Sequence, residues 1–378
     1  MSEKRNGISK LVLMLATLSC LASAQQFKTP AYYKVGSKNA SLIGAVTADF
    51  NGDGLPDLAI IESNFDRIAV LLNQGDGRFS ASPKVLNVGG GATVALATGD
   101  LNGDGIPDLA VVATNRPQGH LLLFLGKGDG TFVLKKSYSV GNGAQVPALA
   151  DFNHDGKLDV AVTNYQHAMV YVYFGNGDGT LQNPKHYTAP LHGTAITAAN
   201  LNKDKFPDLV IGGVQGTLSV LLNNGDGTFG KPANYKVGNN PVSIAIGDLR
   251  NNGNADIVVA TQLTNRISVL LGNGDGTFGK PISYSTKSIG NGPTGAAIAD
   301  FNRDGNLDIA VTAQAAGKNG VGVFYGKGDG TFGKPTVTAL KYQGGDALVT
   351  ADFDKNGSPD LAVTGYFGYT MGILLNAQ

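Results

Sequence analysis

The sequence contains no tryptophan, one cysteine among 378 residues and almost no glutamate. Without Trp, stacking against a sugar ring falls to Tyr and Phe. With Cys20 alone, no disulfide can form within the chain, and stability must come from another kind of staple. Of 29 acidic residues only Glu3 and Glu62 are glutamate; the remaining 27 are aspartate. Glu suits helix interiors, whereas Asp suits turns, caps and compact metal loops, so this imbalance argues against a helical bundle. An excess of charge of one sign is also missing. The 29 bases match the 29 acids, which gives no reason to expect nucleic acid or an anionic membrane as partner. The one extended apolar stretch, Leu11 to Ala22, is too short to span a bilayer comfortably.

That stretch has its own reading. Lys4, Arg5 and Lys10 precede or open it, and Ala22-Ser23-Ala24 follows as a small-residue cleavage site. Residues 1–24 therefore read as a secretory signal, with Gln25 opening the mature chain. A lipoprotein signal through Cys20 is the alternative, but Thr17 stands where an aliphatic residue is wanted. The expected location is secreted, periplasmic or at the cell envelope, and the mature chain then has no cysteine. At 42% hydrophobic, it is too apolar to remain disordered.

What is abundant is glycine, at 54 residues, and repetition. Asp49-Phe-Asn51-Gly-Asp53-Gly54-Leu-Pro-Asp57 recurs in related form from Asp100, Asp151, Asn200, Asp248, Asp300 and Asp352. A second phrase, Gly75-Asp76-Gly77-Arg-Phe79, follows the first copy, with counterparts at Asp129, Asp178, Asp226, Asp275 and Asp329. Short apolar runs lie between, as at Thr93–Ala97, Leu109–Ala113, Leu121–Leu125 and Lys136–Val140. Their length and Val/Ile/Leu content predict strands. Four strands in each of seven units predict an all-β fold: a seven-bladed β-propeller of four-stranded antiparallel blades, filling residues 25–378 as one domain. A straight solenoid would need distinct caps. Instead the last unit stops after three strands, and Phe27 to Gly36 parallels Phe229 to Gly238. The N-terminal strand is therefore expected to complete the last blade and close the ring, leaving no open sheet edge. A monomer is expected.

The first phrase places oxygen-bearing side chains at loop positions 1, 3, 5 and 9, a pattern that suits a hard cation such as calcium. In unit one these are Asp49, Asn51, Asp53 and Asp57; in unit two Asp100, Asn102, Asp104 and Asp108; in unit three Asp151, Asn153, Asp155 and Asp159. Unit six has Asp300, Asn302, Asp304 and Asp308, and unit seven Asp352, Asp354, Asn356 and Asp360. Position 7 can add a main-chain carbonyl, from Leu55, Ile106, Lys157, Asn306 and Ser358. An EF-hand would need Glu at position 12, but Ile60, Val111 and their equivalents are strand formers, so the loop joins strands. Without an ion, carboxylates this close would repel one another. Units four and five depart from the pattern. Asn200 and Asn202 weaken the first, which has Lys205 where Gly is wanted, and Arg250 takes a ligand position in the second. The cationic side chain in each is expected to replace the ion, leaving about five calcium sites.

The Asp-Phe-Asn-x-Asp-Gly-x-x-Asp loops followed by Asp-Leu-Ala-Val resemble the FG-GAP/VCBS repeats of integrin-α-like seven-bladed propellers and of many exported bacterial proteins. The resemblance covers residues 27–378. It implies a calcium-binding scaffold, with the Asp and Asn residues named above as ligands, and it says little about what the scaffold recognises.

The second phrase reads as a tight Asp-Gly hairpin, with Phe79, Phe132, Phe229, Phe278 and Phe332 anchoring outer strands. No catalytic constellation stands out. After the expected signal, Glu62, Asp66 and Asp346 are the carboxylates outside the two phrases, and the first two share one short loop, as a glycoside-cleaving pair would require. The five histidines show no His-x-x-x-His spacing. In a propeller the connections opposite the aspartate loops form a second face. Here they carry Asn64, Phe65, Arg67, Asn115, Arg116, Asn164, Tyr165, His167, Arg266 and Tyr366 as candidate ligand-binding residues. The expected function is recognition or adhesion toward a glycan or protein; a polysaccharide lyase on the same ring is the alternative.

Overall fold

The computed structural model describes residues 26–89, 91–115, 118–314, 320–342 and 344–378. The expected signal at 1–24, with Cys20, lies outside the described residues, as does Arg116. These residues form seven four-stranded antiparallel sheets arranged as the blades of a propeller. Blade one comprises Leu42–Ala48, Asp57–Glu62, Arg67–Leu71 and Lys84–Asn87, paired in that order. The only helical segments among the described residues are single 3-10 turns at Ser63–Phe65 and Gln262–Thr264.

Burial runs outward from the axis. The first strand of each blade contacts the first strands of both neighbours, so these seven strands enclose a central channel. In six blades the second strand is buried along its whole length, as in Asp57–Glu62 and Asp360–Gly365. Both of its faces are covered by adjacent blades, which explains the continuous apolar sequence rather than an alternating one. The outermost strands are mostly exposed and carry polar residues at the rim.

There is no single core. Seven apolar clusters form instead, each shared by two neighbouring blades. The hairpin phenylalanines knit them together. Phe132 of blade two meets Phe50 of blade one edge-to-face at 5.4 Å, and Phe229 of blade four meets Phe152 of blade three at 5.6 Å. Such pairs add to the area they bury.

The ring closes as the repeat pattern predicts. Ala31–Lys34 is the outermost strand of blade seven, in register from Ala31 opposite Ile373 to Lys34 opposite Thr370. Phe27 bridges Asn376 as Phe79 bridges Asn73, and packs edge-to-face on Phe301 of blade six at 6.1 Å. It stands in for the hairpin phenylalanine that blade seven lacks. Phe27→Ala should therefore cost about 3–4 kcal/mol in urea unfolding, whereas Val133→Ala, at a rim position 48% exposed, should stay within about 0.5 kcal/mol. Equal costs would mean that the N-terminal strand does not close the ring.

Candidate functional site

Each aspartate loop joins the first and second strands of its blade, and the Asp-Gly hairpin joins the third and fourth. Both emerge on one face, where hairpins bond to the loop of the preceding blade. Gly130 N–H donates to the Phe50 carbonyl at 2.8 Å, and Gly77 N–H to that of Phe353 at 3.1 Å. The hairpin aspartates are occupied locally: the Thr131 hydroxyl and N–H bond Asp129 and hold its carboxyl below the usual range.

Within a loop the backbone is wound around the first aspartate. In blade one Asp49 accepts the N–H groups of Gly52 at 2.7 Å, Asp53 at 3.2 Å and Gly54 at 2.7 Å. Asp100, Asp151, Asp300 and Asp352 each accept the N–H of the residue five positions on, at 2.8 Å. Position 5 accepts the N–H of position 7, as Asp53 does from Leu55 at 2.8 Å, Asp104 from Ile106 at 2.8 Å and Asp155 from Lys157 at 3.0 Å. Asp304 does the same for Asn306, and Asn356 for Ser358. The winding needs left-handed residues at position 6, such as Gly54 at φ 78°, and also at position 4. Position 4 is Gly52 in blade one but His154, Arg303 and Lys355 in blades three, six and seven, all at φ 56–59°. Left-handed non-glycine residues are uncommon and carry a strain cost. The mixture of residue types left no trace of this requirement in the sequence. These side chains reach the next loop round the ring, as when Arg303 donates to the Asn356 carbonyl at 2.8 Å.

The ninth-position aspartate is buried in every blade and accepts at least two main-chain N–H groups. Asp57 takes those of Phe50 at 3.0 Å and Asn73 at 2.7 Å; Asp108 takes those of Leu101 and Gly126; Asp159 takes those of Phe152 and Gly175. Burial pushes Asp57, Asp159, Asp308 and Asp360 up to about 6, and the neighbouring loop carboxylates push the same way against these hydrogen bonds. The loops thus concentrate carboxylate charge that a cation would balance, and their donor set of carboxylate, amide and carbonyl oxygen fits calcium. In blade seven, oxygens of Asp352, Asp354 and Asp360 lie within 4.8 Å of one another. The amides at position 3 turn toward position 5: Asn51 to Asp53 at 2.9 Å, Asn102 to Asp104 at 2.8 Å, Asn153 to Asp155 at 3.3 Å and Asn302 to Asp304 at 2.9 Å.

The two departing loops behave differently. In blade five the Arg250 guanidinium lies against buried Asp256, with Nη2 2.8 Å from Oδ1 and Nε 3.4 Å from Oδ2, and also donates to the Gly272 carbonyl. It supplies the positive charge from within the chain. Lys205 in blade four does not. It is exposed at φ 79° and makes no ion pair among the described residues, so the expected ammonium replacement fails there. An ammonium on a flexible stem is more strongly hydrated than a planar guanidinium and gains less from that burial.

On the opposite face the candidates separate into committed and available side chains. Asn164 is buried; its amide donates to the carbonyls of Val140 and Asn142 and accepts N–H groups from Gln166 and His167. The Asn64 amide donates to the Asn39 carbonyl and Ser41. Arg67 pairs with buried Glu62 at 2.7 Å and lies over the Phe65 ring at 4.9 Å. Asp66 accepts from Gly91 N–H and Thr93. The Glu62–Asp66 pair is therefore not free: each carboxylate is engaged by different partners. Arg266 and His167 are exposed, Tyr366 packs against the exposed Phe367, and these candidates belong to separate loops round the ring. Tyr165 is the candidate that lines a cleft. It is 36% exposed and stacked on His192, with centroids 4.4 Å apart and planes 22° apart. Beside it lies a cleft of about 270 Å³ that also involves Thr114, Asn142, Gln145 and Gln166. Those four residues were missed in the sequence, where nothing separates them from ordinary loop and strand positions.

Solved structures of the same fold are numerous. BBS1N in complex with ARL6DN superposes with a TM-score of 0.63 at 11% identity, covering 93% of this chain and 97% of that one. An Agrocybe aegerita lectin that recognises non-reducing terminal N-acetylglucosamine gives 0.55 at 21% identity, with 90% and 87% covered. Saccharomyces cerevisiae Sqt1 gives 0.60 at 11% identity, with 92% and 100% covered. At these identities the likeness is one of fold. No curated protein matches the sequence. The FG-GAP-like repeat matches at residues 49–111, 110–162, 151–211, 200–259 and 251–311. Because these matches run unbroken over more than half of the chain, the protein belongs to the FG-GAP-like repeat family.

Proposed function

We propose that the protein is an exported, calcium-stabilised propeller that recognises a ligand, a glycan or a protein surface, on the face opposite its aspartate loops. The observation that carries recognition is the Tyr165–His192 stack beside a cleft rich in amides and a hydroxyl. A flat, partly exposed aromatic flanked by hydrogen-bonding groups suits a sugar ring or a peptide side chain. The lectin of the same fold makes a glycan the first class to test, and the BBS1N complex makes a protein the second. Five loops, those of blades one, two, three, six and seven, would hold calcium through the aspartates and asparagines named above. The role of the ion would be to neutralise the loop carboxylates and stiffen the face on which adjacent blades are bonded.

Calcium that binds only the folded chain stabilises it by about 2.7 kcal/mol per site at a hundredfold excess over Kd. Chelation should lower the melting temperature by many degrees, and Asp104→Ala should reproduce part of the fall. Identical melting curves with calcium and with chelator would refute the calcium assignment.

Blade five offers the converse test. Arg250→Asn removes the internal cation and restores an oxygen donor. In chelator this should cost about 3 kcal/mol, the low end for breaking a buried ion pair, because Arg250 stays partly exposed. Added calcium should recover much of that loss, and no recovery would mean that blade five cannot take an ion.

For the ligand, glycan and protein arrays are the direct assay. Tyr165→Ala should weaken a genuine hit at least about tenfold without changing the melting temperature. Hits indifferent to Tyr165→Ala would place recognition elsewhere, and turnover of a polysaccharide would replace recognition with lyase chemistry.

A further inference from the structure

The central channel carries a feature that the aspartate loops do not use and that meets the Tyr165 cleft only at Gln145. Every first strand has a bulge near its start, where pairing to the second strand skips at least one residue. Bulges re-aim side chains, and here the first unpaired residue of each bulge lines the channel. Six of the seven are Ile43, Val94, Gln145, Thr194, Val242 and Thr294, all uncharged. The seventh, in blade seven, is Asp346.

Protein encloses Asp346 on nearly every side, while part of its surface still opens to the channel lumen. Its carboxylate makes no hydrogen bond and no ion pair among the described residues. Its own main-chain carbonyl accepts from Thr312 at 3.3 Å. The one other aspartate outside the two repeat phrases, Asp66, has two donors. A carboxylate so nearly enclosed and without a protein partner is disfavoured in its charged form, and a cation in the lumen would relieve that.

The surroundings define what would satisfy it. The channel space is about 370 Å³, at the small end of small-molecule sites. The Gln145 amide is also unpartnered among the described residues. The Thr194 and Thr294 hydroxyls donate to the carbonyls of Pro241 at 2.6 Å and Gly345 at 2.8 Å, which leaves their oxygens free to accept. One negative charge ringed by neutral acceptors, with no second carboxylate, is too weak a set for a divalent ion, which gathers several oxygen ligands. It matches a group with one positive charge and several N–H donors.

We propose that the wide central channel is a binding site for a primary ammonium group, with Asp346 as its counter-ion and the hydroxyl of Thr294, on the adjacent blade, as an acceptor. Asp346 and Thr294 line neither the Tyr165 cleft nor the calcium loops, although Gln145 lines both the channel and that cleft, so either site can fail without the other. The ammonium can arrive on a plain alkyl chain or on an amino sugar.

Burial raises the Asp346 carboxyl to about 7, and no other titratable side chain lines the channel among the described residues. An alkylammonium stays protonated well above that value. Its binding should therefore tighten as pH rises from 6 to 8, by up to about tenfold, because more of Asp346 is ionised.

The test is titration calorimetry on the intact protein with butylamine, glucosamine and glucose. Binding of butylamine, or of glucosamine alone, with a loss of at least about tenfold in Asp346→Asn and no binding of glucose, supports the site; glucosamine alone would identify an amino sugar as the source. Asp346→Asn is close in shape and removes an unpaired, largely enclosed charge, so its melting temperature should be equal to or above that of the parent. Should it fail to fold, the pH dependence of butylamine binding to the parent protein decides. Absence of binding by both amines at pH 8, binding unchanged in Asp346→Asn, a flat pH profile for butylamine, or glucose binding as tightly as glucosamine would each overturn the proposal.

Discussion

One carboxylate repeated in every blade holds the architecture together. The aspartate that opens each second strand, from Asp57 to Asp360, is buried and accepts one N–H from the start of its own loop and one from the end of the third strand. It joins three strand ends at one point. An apolar residue there would leave two buried N–H groups without acceptors, which is a larger loss than one hydrogen bond. The constraint survives where the loop has otherwise diverged. Asp208 keeps both bonds in blade four, and Asp256 keeps both in blade five.

The clasp also sets the electrostatics of that face. Seven buried carboxylates, each near one or more other loop aspartates, create a ring of negative charge on one side of the propeller. Blade five answers it with an internal guanidinium, and the remaining complete loops have the oxygen donors for a metal ion. A guanidinium works because its planar fork meets a carboxylate through two N–H groups. The exposed lysine of blade four supplies no such geometry. The opposite face is free of this burden, and its loops vary without disturbing the clasp. That division places a candidate recognition surface and a structural surface at opposite ends of the same strands, with the channel running between them.

Much of this was legible from residue spacing alone. The period of about fifty residues, the Asp-Gly hairpins and the match between Phe27–Gly36 and Phe229–Gly238 led to seven blades and to closure by the N-terminal strand, as observed. Local rules sufficed there because each blade repeats the same short-range chemistry. The left-handed backbone at loop position 4 was not legible, since Gly, His, Lys and Arg all occupy it. Glu62 and Asp66 read as an available pair because spacing does not show their partners: Arg67 across the same turn and the distant Ser37 N–H for one, Gly91 and Thr93 for the other. Asn164 looked like a polar loop residue, yet it is a buried organiser of its own turn.

The amino-acid sequence by itself determined the number of blades, the order of strands within them, the ring closure and the chemistry of the loop donors. All of these follow from repeat period, turn residues and side-chain type, which are properties of contiguous segments. Only the tertiary structure decided which carboxylates are spoken for and which are open. Pairing Arg250 with Asp256, stacking Tyr165 on His192 and leaving Asp346 alone in the channel depend on how segments distant in the chain are brought together. Charge compensation acts through space, and a linear pattern does not reveal which residues will share a cavity.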